Sequence, residues 1–141
     1  MAHRRGEVEE DSATLQLGPD FKTAKCLNNA DVALILEHKR ELYAEKGIAP
    51  KSDFLKAYHY VNTVKQFKDR DVVMQVRKEL QAYNLAPFEV TQLSNLCPEN
   101  AQEAKALIAS LDMPDRECGE IGNSELNEVL QQLASYKQFS T

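Results

Sequence analysis

Three histidines and three cysteines are the side chains of this sequence that could bind zinc or act in nucleophilic catalysis. A zinc site needs ligands at short spacings such as C-x-x-C or H-x-x-x-H, and neither spacing occurs. A cysteine nucleophile needs a neighbouring base, and no spacing indicates that Cys97 or Cys118 meets His59. We therefore predict no metal centre, no cofactor and no catalytic residue. The six candidates are His3, His38, His59, Cys26, Cys97 and Cys118.

Sites for phosphate or calcium are no better supported. None of the five glycines falls in a G-x-G-x-x-G or G-x-x-x-x-G-K arrangement, which would cradle phosphate groups. The acidic loop from Asp112 to Glu120 places Pro114 and Arg116 where a calcium loop needs oxygen ligands. We interpret this stretch as a solvated loop.

Size, charge and cysteine usage restrict the class of protein. A chain of 141 residues with 43% hydrophobic composition is long enough for one core. The net charge of -5 gives no general attraction to nucleic acid, although the middle of the chain is locally basic. Three widely spaced cysteines fit a reducing cytosolic or nuclear compartment. No apolar run approaches the roughly 18 residues that span a bilayer, so we expect no membrane contact.

The N-terminal segment is predicted to be an arm. Residues 1–12 are polar and acidic and are expected to be disordered. Leu15 and Leu17 alternate with polar residues, which predicts a short strand that ends at Gly18. Because the rest of the chain shows helical periods, this strand would have to pair with another protein.

The first long helix is predicted to begin near Asn29 or Asp31 and to stop at Gly47. Its apolar side is unusually broad, since the contiguous run from Val32 to Leu36 covers almost a full turn. Two surfaces should therefore share this helix. The alternative is that it is the central helix of a self-contained bundle.

A loop at residues 47–50 is the best internal boundary, and five short helices are predicted to follow it. The first of these is expected to run to about Lys68, and short connections favour packing between sequence neighbours. Each helix has a capping or first-turn residue at its start. These residues are Ser52, Asp69, Pro87, Pro98 and Ser124.

Two of these helices also carry a basic surface with aromatic residues between the cations. Such a surface could bind single-stranded nucleic acid, which gives a second hypothesis of a stand-alone nucleic-acid-binding or adaptor module. Interrupting acidic residues favour an ordinary solvated face instead. The residues that could contact RNA are Lys65, Lys68, Arg70, Arg77 and Lys78.

Several segments resemble a known family, and the match extends over nearly the whole chain. The string LAPFE at residues 85–89 is followed by NLCPE and then by EAKALI at residues 103–108. The sequence resembles subunit four of eukaryotic RNA polymerase II and its plant-type paralogues in silencing polymerases. It departs from the family at Ala109, where proline is common, and in a longer acidic loop. The most specific element comprises Asn95, Leu96, Cys97, Pro98 and Glu99, which we interpret as structural, with Leu96 packed, Cys97 buried and Pro98 starting a helix.

The resemblance implies a non-catalytic stalk subunit that forms a heterodimer with the OB-fold subunit seven beside the polymerase core. It implies an HRDC-like bundle over residues 51–141, after a partner-binding strand and helix over residues 13–49. The resemblance also implies roles in transcription initiation, in the handling of nascent RNA through weak contact, and in the recruitment of other factors. It implies a nuclear protein that shuttles to the cytoplasm. The predicted partner-binding residues are Leu15, Leu17, Phe21, Leu27, Val32, Ile35 and Leu36.

Overall fold

The computed structural model describes residues 9–139 and is mainly helical, as the sequence predicted. Five of the α-helices in that range follow residue 51, which also agrees with the prediction. Residues 1–8 of the predicted tail and residues 140–141 lie outside the described range. The helices are α1 (Pro19–Lys22), α2 (Asn29–Glu45), α3 (Ser52–Val64), α4 (Arg70–Leu80), α5 (Pro87–Leu96), α6 (Ala101–Leu107) and α7 (Asn123–Phe139), with two 3₁₀ turns at Ser12–Thr14 and Ala109–Asp112.

Local sequence signals explain where several helices begin. Asn28 accepts a hydrogen bond from the amide of Asp31 at 2.8 Å, and the Asp31 carboxylate accepts one from the amide of Asn28 at 2.9 Å. This reciprocal capping box satisfies two amides that the first turn of α2 leaves free. Asp69 and Asn100 cap α4 and α6 with a side-chain oxygen that accepts a hydrogen bond from a backbone amide, and Pro87 is the first residue of α5.

Two predicted helix boundaries are wrong. Helix α3 ends at Val64 and not near Lys68, because Lys65 is extended, with φ -60° and ψ 140°. Pro98 does not start a helix, because the next one begins after Asn100. Cys97 ends α5 with a φ of 44°, so Pro98 lies in the turn between two helices.

The hydrophobic core lies among α4, α5, α6 and α7, with a contribution from the first turn of α2 through Ala30. Phe67, in the linker between α3 and α4, is 1% exposed and anchors that linker in the core. Full burial of a leucine or phenylalanine contributes about 1.5–3 kcal/mol each. The largest fully buried apolar residues are Phe67, Leu80, Leu93, Leu111, Leu126 and Leu133.

Helix α3 packs mainly along α2, and the two form a helical hairpin whose turn is the loop at residues 47–50. Tyr58 of α3 donates a hydrogen bond to the Glu37 carboxylate of α2 and accepts one from Arg40 at 2.7 Å. This packing favours a domain boundary after α3 and not before it. The division at residue 50 stays a prediction.

The N-terminal arm folds back on itself and does not form the predicted strand. Asp11 and Gln16 exchange two backbone hydrogen bonds, of 2.8 and 2.9 Å, around the first 3₁₀ turn. Leu15 has a φ of 59°, which an extended strand does not contain. These backbone groups of the arm therefore satisfy one another. The turn lies close to the second 3₁₀ turn at Ala109–Asp112.

No helix among residues 9–139 is both long enough and apolar enough to cross a lipid bilayer.

Candidate partner-binding surface

The predicted partner-binding residues lie at the surface of the folded chain, and none of them is buried. Phe21, Ile35 and Leu27 are 65%, 51% and 40% exposed. The other four are half-buried, namely Leu15, Leu17, Val32 and Leu36. Large apolar side chains that remain exposed together mark surfaces on which another molecule can pack.

Helix α2 has two apolar faces. On the first face Ala30 and Ala33 are buried, and Ala30 belongs to the core. On the second face Val32, Ile35 and Leu36 are spaced by three and four residues, so they form one stripe along the helix. Ala30 anchors the first face to the bundle, whereas Ile35 on the second face remains exposed.

An ion pair ties the start of α2 to helix α4. The Arg77 guanidinium donates to the Asp31 carboxylate, and both of its terminal nitrogens lie 3.2 Å from the carbonyl oxygen of Cys26. The side chains of Arg77 and Asp31 are 23% and 13% exposed. Arg77 therefore holds the start of α2 against α4.

Helix α5 holds the same segment through Asn95. The side-chain oxygen of Asn95 accepts a hydrogen bond from the amide of Asn29 at 2.8 Å, which satisfies a free amide of the first turn of α2. Its carbonyl oxygen accepts one from the Gln66 side chain at 3.3 Å. We call this set of contacts the joint. It comprises Cys26, Asn29, Asp31, Gln66, Arg77 and Asn95.

The other residues of the NLCPE element have different positions. Leu96 is 45% exposed, so the prediction that it packs in the interior is wrong. Pro98 is buried in the turn, and the amide of Glu99 donates to the Glu103 carboxylate at 2.8 Å. Asn95 has a structural role, because it holds Asn29 and Gln66 in the joint.

Cys97 is half-buried against the core, and its thiol donates to the carbonyl of Ser94 at 3.5 Å. Burial raises the pKa of the Cys97 thiol to about 11, although the charge of Lys137 lowers it. The thiol is therefore protonated near neutral pH, whereas a cysteine nucleophile reacts as the thiolate. Cys97 is not placed to act as a nucleophile.

The five predicted RNA-contact residues differ in how far they are exposed. Lys68, Arg70 and Lys78 are exposed, but Lys65 donates to the side chain of Asn62 at 2.9 Å. Arg77 pairs with Asp31 in the joint, so three of the five predicted RNA-contact residues are exposed. A surface with few cations, interrupted by carboxylates, attracts the phosphates of a nucleic acid only weakly.

A buried ion pair that the sequence analysis missed lies at the start of α5. The side chains of Glu89 and Arg116 are 0% and 1% exposed, and Arg116 donates to both Glu89 oxygens. Glu89 also accepts from the Ser110 hydroxyl at 2.6 Å and from the amide of Ala86 at 2.9 Å. Arg116 belongs to the loop that was predicted to be solvated, so that prediction is wrong for its central residue.

The hydrogen bonds of this pair account for the charge state of Glu89. Burial alone would raise the pKa of the Glu89 carboxyl, but donation from Arg116, Ser110 and Ala86 outweighs it and holds the pKa below its ordinary value. Arg116 also donates to the carbonyls of Gly119 at 3.0 Å and Asn84 at 3.1 Å. The pair thus fixes the acidic loop to α5. A lone arginine in an acidic loop was the only signal of it in the sequence.

Metal-binding side chains are dispersed in the part of the chain that the structure describes. Within residues 9–139 no three side chains of His, Cys, Asp or Glu lie close enough together to hold an ion. His3, one of the candidates, lies outside that range.

Comparison with known proteins identifies the family. Residues 26–137 match the family model described as RNA polymerase Rpb4. The chain is 38% identical over 138 residues to DNA-directed RNA polymerase II subunit 4 of Arabidopsis thaliana, with 95% of this chain and 98% of that protein covered. It is 32% identical to subunit rpb4 of Dictyostelium discoideum (95% and 93% covered) and 30% identical to that of Schizosaccharomyces pombe (96% and 97% covered). The chain therefore belongs to the RNA polymerase Rpb4 family.

Proposed function

We propose that this chain is a non-catalytic stalk subunit of RNA polymerase II that forms a heterodimer with the OB-fold subunit seven and acts in the nucleus. Its relatives in three organisms are named as subunit four of that polymerase. In this role it supports transcription initiation, the handling of nascent RNA and the recruitment of other factors, and it contacts the polymerase core through its partner.

The second apolar face of α2 carries this proposal. Ile35 is 51% exposed at the centre of a stripe with Val32 and Leu36. Apolar area left on a helix that is already anchored costs free energy in water, at roughly 25 cal/mol per Å². Covering this face by a partner recovers that free energy. Phe21 and Leu27 precede α2 in the sequence and are also exposed, so we include them in the proposed interface.

A stalk subunit of this kind works by positioning. The joint fixes the direction of α2 relative to the bundle, so a partner on the second face is held at a defined place. The bundle from α4 to α7 then presents its outer surface to other factors. For the arm to add a strand to the partner, the bridge between Asp11 and Gln16 would first have to open.

The test is binding to subunit seven of the same organism, with two substitutions matched for exposure. Ile35→Asp places a charge on the second face of α2, and Met74→Asp places one on α4 at a site that is 59% exposed. Both sites are in the interior of a helix and open to water, so the cost to folding should be similar. Burying an unpaired carboxylate in an interface should weaken binding by about 2–5 kcal/mol.

Affinity would be measured by calorimetry on the purified chains, with circular dichroism as the check on folding. We expect a one-to-one complex that Ile35→Asp weakens at least about 30-fold, which corresponds to 2 kcal/mol, and that Met74→Asp leaves unchanged. Absence of a complex between the unaltered chains would refute the heterodimer. Equal loss in both variants would show that α2 is not the interface.

A further inference from the structure

The exposed side chain of Leu96 has no structural role that explains it. It is the last residue of α5 and is 45% exposed, although both of its neighbours are fixed. Asn95 holds the start of α2 through its side chain, and Cys97 ends the helix in a half-buried position. An apolar side chain that is held in water between two fixed residues does not stabilise the free chain.

Leu27 has the same setting on the other side of the joint. It is 40% exposed, and it lies between Cys26, whose carbonyl accepts from Arg77, and Asn28, which is 4% exposed and caps α2. Two exposed leucines thus border one joint, each on a backbone that hydrogen bonds hold in place. A surface whose backbone is already ordered loses little conformational entropy when a partner covers it.

Chain geometry limits how far apart these leucines can be. The amide of Asn29 lies 2.8 Å from the side-chain oxygen of Asn95, Leu27 is two residues before Asn29, and Leu96 directly follows Asn95. With about 3.8 Å between successive Cα atoms, the Cα atoms of Leu27 and Leu96 are less than about 20 Å apart. An interface of standard size, about 800 Å² on each partner, is roughly 30 Å across. One partner that covers Leu27 can therefore also cover Leu96.

We propose that the surface that binds subunit seven continues from α2 across the joint onto the end of α5, and that Leu96 is a contact residue for that partner. This inference rests on the proposed function. The partner contributes apolar side chains at this position, since the buried centre of an interface is depleted of charged residues. The interface then includes both the N-terminal third and the bundle, so it is wider than the sequence analysis predicted.

The matched control for this proposal is Leu107, the last residue of α6. It is 54% exposed and, like Leu96, is a leucine at the C-terminal end of a helix, but it is outside the joint. The chains Leu96→Asp and Leu107→Asp would each be titrated with subunit seven of the same organism and melted alone. Because both leucines are exposed in the free chain, neither substitution should shift the melting temperature by more than a few degrees.

We expect Leu96→Asp to raise the dissociation constant for subunit seven about tenfold or more, and Leu107→Asp to change it less than about twofold. Binding of Leu96→Asp within twofold of the unaltered chain would overturn the proposal while leaving the α2 interface intact. Equal weakening by both variants would also overturn it, since the effect would then be one of added charge. If the unaltered chains form no complex, the proposed function itself fails.

Discussion

The buried pair of Glu89 and Arg116 gives the sharpest prediction for stability. Both side chains are fully buried, so removing one partner leaves the other as an uncompensated charge or an unsatisfied acceptor. Breaking a buried pair in this way costs about 3–5 kcal/mol, against a total stability of about 5–15 kcal/mol for a domain. Each single substitution should therefore remove a large fraction of the free energy of unfolding.

The two substitutions should differ in their dependence on pH. Glu89→Gln leaves a buried guanidinium that stays charged, because arginine does not lose its proton in this pH range. Arg116→Met leaves a carboxyl that burial drives towards the neutral form. The loss of unfolding free energy caused by Arg116→Met should thus become smaller as the pH falls from 7 to about 5. The loss caused by Glu89→Gln should stay constant over that range.

Urea unfolding followed by circular dichroism would measure these free energies, with the double variant Glu89→Gln and Arg116→Met to complete a cycle. The double variant should lose less than the sum of the single losses by about 2 kcal/mol or more, since the two groups interact directly. The control is Lys105→Met. It breaks an ion pair with Asp112, of 3.3 Å, whose acidic side chain is 72% exposed, and exposed pairs contribute only about 0–1 kcal/mol.

Two results would refute this reasoning. A loss below about 1 kcal/mol for Arg116→Met would mean that the pair is hydrated or open in solution and does not fix the loop. Losses that simply add in the double variant would mean that Glu89 and Arg116 act through separate contacts. Either result would also remove the physical basis for an ordered acidic loop.

Two further predictions concern acid stability and the joint. The pKa of the Glu89 carboxyl is lowered in the folded state, so the ionised carboxylate stabilises the fold. This stabilisation is fully present above the ordinary carboxyl pKa of about 4.3 and is lost as the pH falls through the lower pKa of the folded state. In a series of urea titrations, the difference in the free energy of unfolding between the unaltered chain and Glu89→Gln should therefore shrink below about pH 4. A difference that is constant from pH 6 to about pH 3 would contradict it. Asn95→Ala leaves the amide of Asn29 without its acceptor, so it should lower the free energy of unfolding by about 1–2 kcal/mol and speed hydrogen exchange at Asn29. Unchanged exchange at that amide would show that the joint does not depend on Asn95.

Much of the helical plan could be predicted because its signals are local. Asp69 before α4 and Pro87 at the start of α5 act within one turn of their own position. The same kind of signal failed at Pro98, since proline is common both in a first turn and just after a helix ends. The deciding feature was the left-handed backbone of Cys97, which is unusual for a residue other than glycine.

The surface of α2 could be anticipated, whereas the contacts that orient it could not. A contiguous apolar run indicates two faces whatever the rest of the fold does. The joint brings Arg77 to Asp31 across 46 positions and Asn95 to Asn29 across 66. Glu89 and Arg116 are 27 positions apart. Polar pairs at such separations have no periodicity, so a single sequence does not reveal them.

The joint matters for a positioning role because small rotations grow with distance. Helix α2 has 17 residues and is therefore about 25 Å long at 1.5 Å per residue. A rotation of about 10° at its first turn would move its far end by roughly 4 Å, which is the spacing of atoms in contact. Since α3 packs along α2 and moves with it, the joint directs the whole hairpin. For a partner bound on α2 as proposed, the hydrogen bonds of Asn95 and Arg77 in the joint would determine where that partner lies relative to the bundle.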